Sequence, residues 1–261
     1  MKKLTAIILA MTLALSLAAC GGGSPSPSLS PSPSSPSPSQ GALSPSPGGT
    51  DPTPTDTDDP SGSPQDTTPP AGVAVGDIME FGGYEWRVLE VSGGKALLLS
   101  EYIIEDRLYH DAYAEVTWAD CDLRAYLNGE FYLGFSEGDR AKITQTRSSN
   151  KDNQWYGTPG GDDTDDYIFL LSLEEVVRYF GDSGQLANRP SEDAKYIDDQ
   201  YNEARLAYTL DGVQWAWWLR SPGYDVSNIA YVRFGMGVIM MNGNADSDVL
   251  GLRPAMWVSL E

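Results

Sequence analysis

Hydrophobic and polar positions divide the chain into three unequal stretches. Residues 4–17 are a mainly apolar run, residues 21–72 offer almost nothing to bury, and from residue 73 onward apolar positions recur with the periods of secondary structure. The third stretch opens on Ile78-Met79-Glu80-Phe81, then residues 84–91 and 96–99, punctuated by Gly82-Gly83 and Ser92-Gly93-Gly94. That pattern predicts hairpin strands. Leu123, Tyr126 and Leu127 recur at helical spacing after Asp120, with Asn128-Gly129 as the expected stop. A second helix is marked by Ser172 and Glu175, spaced as a capping box, with Val176, Val177, Tyr179 and Phe180 as its buried side and Gly181 as its end. Residues 191–210 read equally as a polar helix or a long loop. Strands return at 215–219, 229–234, 238–241 and 252–260, with turns at Gly235-Met236-Gly237 and Asn242-Gly243. Two helices between antiparallel strands predict an α+β domain over 73–261, with its two ends paired in one sheet.

The first two stretches change the picture from a globular domain to a displayed one. Lys2 and Lys3, the apolar run and small residues at Ala18 and Ala19 form a secretory signal over 1–19, too short for a stable membrane span. Leu17-Ala18-Ala19-Cys20 resembles the lipobox of bacterial lipoproteins, which implies that Cys20 becomes the acylated anchor on the extracytoplasmic face of the cell membrane. An ordinary signal peptide with an incidental cysteine is the alternative. Residues 20–72 then read as a disordered Pro/Ser-rich linker, either a wall-crossing stalk or a passive spacer. With Cys20 carrying lipid, Cys121 has no partner for a disulfide.

Charge narrows the partners. Setting aside Lys2, Lys3 and the linker aspartates Asp51, Asp56, Asp58, Asp59 and Asp66, the rest carries 15 basic and 32 acidic residues, a net charge near −17. Such a field repels nucleic acid, and contact with the bilayer is left to the acylated Cys20 alone. The single histidine, His110, sits in a polar segment and is expected at the surface. His110 is thus the sole base a histidine-based triad could use, and the poverty of histidine and cysteine excludes the usual zinc sites. Glycoside hydrolysis needs only two suitably spaced carboxylates, and the domain has many, among them Glu101, Glu105, Asp106, Glu203 and Asp211, with no pattern that singles out a pair. Asp162, Asp163, Asp165 and Asp166 follow Gly160-Gly161 and supply the hard oxygens that Ca2+ takes, without the EF-hand spacing. They are either calcium ligands or turn formers; no other cofactor is implied.

Trp217-Trp218-Leu219-Arg220-Ser221-Pro222-Gly223, followed by Gly251-Leu252-Arg253-Pro254-Ala255-Met256-Trp257, resembles an uncharacterised bacterial surface-domain family. Phe81-Gly82-Gly83-Tyr84-Glu85-Trp86, residues 123–128 and residues 167–172 match it in order. The family is distantly similar to C-type-lectin-like folds, which include formylglycine-generating enzymes. That resemblance implies a structural role for Arg220 and Arg253, and a ligand surface in the irregular segments between the last strands. The paired active-site cysteines of the enzymes are lacking, so that activity is set aside. The ligand-binding candidates are Tyr224, Asp225, Asn228, Tyr231, Arg233, Phe234, Met236, Met241, Asn242, Asn244 and Asp246. Val238-Ile239-Met240-Met241 lacks polar alternation, so this strand either exposes an apolar face or is covered on both sides. The reading is a lipid-anchored, non-catalytic binding module for an extracellular protein or glycan; the alternative is a cell-wall glycan hydrolase on the same stalk.

Overall fold

A computed structural model describes residues 72–261; residues 1–71, on which the expected signal, the Cys20 anchor and the linker fall, lie outside the described residues. In chain order the strands begin with β1 (Ile78–Phe81), β2 (Tyr84–Ser92), β3 (Lys95–Ser100) and β4 (Glu105–Arg107). Helices α1 (Asp122–Tyr126) and α2 (Glu137–Lys142) follow, then β5 (Ile143–Thr144), β6 (Thr146–Ser148), β7 (Thr164–Asp166) and α3 (Leu173–Phe180). The C-terminal third holds β8 (Tyr196–Ile197), β9 (Ala207–Tyr208), β10 (Gln214–Trp215), β11 (Trp217–Pro222), β12 (Asn228–Arg233), β13 (Gly237–Asn244), β14 (Leu250–Leu252) and β15 (Ala255–Ser259). The domain is therefore mostly β with three short helices, none long and apolar enough to cross a membrane.

Two larger sheets organise it. The first has the order β1-β2-β3-β15-β5 and is antiparallel throughout. Its two hairpin turns are Gly82-Gly83 and Gly93-Gly94, all four at positive φ, where a two-residue turn matching strand twist needs a residue without Cβ. The pairing of β3 with β15 joins the two ends of the domain, as the pattern predicts. The second sheet, β4-β14-β11-β12-β13-β8, is antiparallel except where β14 runs parallel to β11.

The predicted last strand is in fact two. Pro254 has no N–H to give a ladder, and at Arg253-Pro254 the chain leaves β14 in the second sheet and enters β15 in the first. Both residues hold the end of β3: the Ser100 N–H donates to the Pro254 carbonyl at 2.9 Å, and Arg253 Nε donates to the Ser100 carbonyl at 2.9 Å.

Four tryptophans, Trp86, Trp118, Trp217 and Trp218, are wholly buried. Each indole N–H is satisfied, on Phe81 O, Asp166 Oδ2, Arg205 O and Arg107 O respectively, which lets so much aromatic surface be buried without an orphaned donor. The capping box at Ser172 and Glu175 is present and Gly181 ends α3. The Asn128-Gly129 stop is not. The chain continues through a π turn, Leu127–Phe131, and the Asn128 amide clamps the next segment, accepting from Tyr167 N at 2.7 Å and donating to Ile168 O at 2.8 Å. Residues 191–210 are the loop, not the helix, carrying only β8, β9 and a 3-10 turn at Glu203–Arg205.

Candidate functional site

The eleven C-terminal candidates do not gather into one surface. Tyr231 is 8% exposed and lies edge-on to Trp218 with ring centroids 6.2 Å apart; Asn228 is buried. Val238, Ile239 and Met240 are buried as well, which settles that strand as covered on both sides. Asp225 is half-buried and spends its carboxylate on Ser227 and Asn228; its burial pushes the carboxyl up, but these hydrogen bonds more than reverse that and hold it below its ordinary value. Met241 and Asp246 are half-buried, whereas Arg233, Asn242 and Asn244 are exposed. Of the exposed apolar residues, Phe234 and Met236 sit in the β12–β13 turn, and Tyr224 lies before β12 with its N–H on Met241 O at 2.8 Å. Those positions are at opposite ends of a six-residue strand, roughly 17 Å apart at 3.3 Å per residue.

The aspartate loop is used internally. Asp166 is buried and accepts from Trp118 Nε1, Thr164 Oγ1 and Arg124 Nε at 2.9, 2.7 and 2.6 Å. Asp165 pairs with Arg147 at 3.1 Å and Asp163 caps the Asn150 N–H at 3.0 Å, while Asp162 is exposed. Among the described residues no group of three or more His, Cys, Asp or Glu side chains is arranged to hold a metal ion. His110 is also not simply on the surface: it is half-buried, with Nδ1 2.7 Å from Asp122 Oδ2.

Arg220 is the structural anchor that the family resemblance implies. It is forked onto Glu175, pairing Nη1 with Oε2 and placing Nη2 3.0 Å from Oε1, and it also donates to Leu170 O at 2.6 Å and to Asn150 Oδ1 at 3.2 Å. The glutamate that closes the α3 capping box thus also ties that helix to β11.

Arg253 is different. It is 3% exposed, and its hydrogen bond to Ser100 O is the one it makes among the described residues; Nη1 is closed to solvent and has no partner. Among the described residues no carboxylate forms an ion pair with it. Its guanidinium carbon lies 5.1 Å from the Trp217 ring centroid and 5.7 Å from that of Phe180, so aromatic faces supply part of the missing stabilisation. Burial, with Arg87 acting in the same sense and Glu101 against it, pushes its pKa down to about 10.

This side chain borders a cleft of about 440 Å³ between β2, the end of α3 and the 3-10 turn at Glu203–Arg205. Tyr102, Tyr179, Phe180 and Leu206 form apolar wall. Arg87 and Glu101 line it as a two-point ion pair, Nε to Oε2 at 2.8 Å and Nη2 to Oε1 at 2.5 Å, and Glu203 stands exposed at the mouth. Tyr102 also lines an adjoining hollow of about 330 Å³, where the buried Ser100 Oγ has no hydrogen-bond partner. An apolar hollow with a few convergent polar groups is the usual form of a small-molecule site.

Arg253 is legible in the sequence only as a structural residue. The signal for more is its position, a cation followed by proline inside an otherwise apolar run from Leu250 to Val258, where a strand cannot continue and a buried charge needs a partner. No curated protein and no solved structure matches the chain. The model of the family described as Domain of unknown function (DUF6273) matches residues 93–260, a stretch that includes Glu101, Glu203 and Arg253. The chain belongs to that family.

Proposed function

We propose that the protein is a lipid-anchored binding module displayed on the extracytoplasmic face of the cell membrane, with a C-type-lectin-like fold and a ligand site in the Arg253 cleft. The lipobox-like Leu17-Ala18-Ala19-Cys20 and the Pro/Ser-rich linker support the display. The joining of the domain's ends by β3 and β15, and the buried arginine of Gly251-Leu252-Arg253, support the fold. The observation that carries the binding role is a buried cation with unused donors at the wall of an aromatic cleft. Leaving a charge so poorly partnered costs the folded state on the order of a few kcal/mol, and a ligand acceptor offsets that cost on binding. The test is a thermal-unfolding screen of full-length protein in detergent against small polar molecules and wall-glycan fragments. A ligand present at about 100 times its Kd stabilises by about 2.7 kcal/mol. A stabiliser that acts equally on R253M would remove the cleft from the binding role.

A second reading rests on Glu101 and Glu203 lining the same cleft. A wall-glycan hydrolase would use one carboxylate as acid and the other as base or nucleophile. Glu101 accepts a two-point contact from Arg87, which leaves Glu203 as the carboxylate free to meet a glycosidic oxygen. Release of reducing ends from purified wall glycan, lost in E203Q, would favour the hydrolase.

A further inference from the structure

The charges of the Arg253 cleft come in two kinds. Arg87 and Glu101 neutralise each other through two hydrogen bonds. Arg253 and Glu203, the other two charged residues of the lining, form no ion pair among the described residues. The cleft is therefore lined by one uncommitted cation, almost fully buried, and one uncommitted anion, exposed.

We infer that the cleft takes a zwitterion of the amino-acid type, its carboxylate on the terminal guanidinium nitrogens of Arg253 once that side chain turns them into the cleft, its ammonium toward Glu203 and its side chain against Tyr179 and Phe180. This rests on the cleft being the binding site. Three considerations select that chemistry. A guanidinium fork with only Nε engaged matches the two oxygens of a carboxylate, and such charge-assisted bonds are among the strongest available to a side chain. A molecule with net negative charge is opposed by the domain's field, with a net charge near −17, and a phosphate dianion doubly so; a zwitterion carries the carboxylate in without net charge. A neutral sugar offers acceptors to Arg253 but leaves Glu203 without a cation. The cleft volume of about 440 Å³ lies within the range of small-ligand sites and accommodates a single amino acid with its side chain on the aromatic wall.

The depth of Arg253 sets the order of recognition. The carboxylate must enter first, since Arg253 is buried and its guanidinium is flanked by Trp217 and Phe180, while the ammonium remains where Glu203 is exposed. The ion pair at the bottom forms in low dielectric and dominates affinity; the pair at the mouth is screened and sets selectivity. Arg87 and Glu101 stay paired with each other.

The experiment is a thermal-unfolding screen of full-length protein in detergent against each of the common L-amino acids at about 10 mM, tenfold above a Kd of 1 mM. The best stabiliser is then compared by calorimetry with its amide, which lacks the carboxylate, and its N-acetyl derivative, which lacks the ammonium. The expected result is binding of the parent, loss of at least about tenfold in affinity for the amide, a smaller loss for the N-acetyl form, and abolition in R253M. E203Q, an exposed change that leaves folding intact, should weaken the parent and not the N-acetyl derivative. Equal affinity for parent and amide, with binding still lost in R253M, overturns the zwitterion while leaving the cleft as the binding site. Parent binding undiminished in R253M overturns both. No stabilisation by any amino acid overturns the zwitterion, and an R253M-sensitive glycan ligand in the same screen would keep the binding module.

Discussion

Arg220 and Arg253 sit in the two most recognisable blocks of the sequence and are buried to nearly the same degree, 4% and 3% exposed, yet their surroundings are opposites. Around Arg220 each guanidinium nitrogen has a partner: Glu175 takes Nη1 and Nη2, Leu170 O shares Nη1, Ser149 O sits 3.4 Å from Nη2, and Asn150 takes Nε. Around Arg253 there is one carbonyl and two aromatic faces. Burial alone does not distinguish a tie from a site. A buried charge whose donors are all used is architecture, and removing it strands its partners; one with donors to spare strands little when removed and gains a partner when a ligand arrives.

The sharpest way to break this contrast is R220M. It leaves the Glu175 carboxylate half of an ion pair and the Leu170 carbonyl without a donor, at a cost of about 3–5 kcal/mol in urea unfolding. R220K should recover part of that loss only, because an ammonium cannot fork onto the carboxylate. If R220M unfolds at the same urea concentration as the unmodified protein, Arg220 is no anchor. Tyr231→Ala should come next at about 3 kcal/mol, from the cavity left beside Trp218. Phe234→Ala, at a side chain 46% exposed in the β12–β13 turn, should stay within about 0.5 kcal/mol. The pair of values checks where core ends and surface begins along residues 224–248.

A third buried arginine extends the comparison to pH. Arg205 is fully buried and forked onto Asp199 at 2.8 and 3.1 Å. Burial pushes the Asp199 carboxyl up, but hydrogen bonds from Arg205, Ser183 and the Tyr201 N–H outweigh it and leave the group below its ordinary value of 3.8. A carboxyl depressed on folding adds stability that is whole above its ordinary value and lost as pH falls through its folded one. The unfolding midpoint should therefore drop below about pH 4, with a steeper acid limb in the unmodified protein than in D199N. Parallel limbs would show that Asp199 titrates alike in both states.

Much of the frame was legible in the sequence, and the reasons are local. Gly82-Gly83 and Gly93-Gly94 announce hairpins because the turns need positive φ, and Ser172 with Glu175 announces a helix start because both partners of the capping box lie four residues apart at most. What was not legible depends on distant partners. Asn128 reads as a helix stop and instead clamps residues 167–168, forty positions away. The methionine-bearing strand read ambiguously because periodicity reports how many faces are apolar, not what covers them. Asp166 reads as one of four equivalent loop aspartates, yet it alone turns inward to Trp118 and Arg124. The candidate residues of the irregular loops between the last strands do not gather into one surface, because Asn228 and Tyr231 are spent on the core, whereas Arg253, at the switch between sheets, meets residues of β2, β3 and α3.

R253M is the most informative variant. Methionine fills a similar volume, carries no charge to desolvate and gives up only the hydrogen bond to Ser100 O, so stability should hold or rise, by up to about 3 kcal/mol. Cys121 supplies an independent reporter of the other half of the comparison. Burial pushes its thiol up to about 12, and Tyr109, whose hydroxyl lies within reach of that sulfur, donates to Arg220 O at 3.3 Å. In a C20S background a thiol reagent at about pH 8 should leave Cys121 unmodified in the parent and in R253M, and should label it readily in R220M. Equal labelling of both variants would mean that the region around Arg253 holds the fold as firmly as the region around Arg220, and that its spare donors are no mark of a binding site.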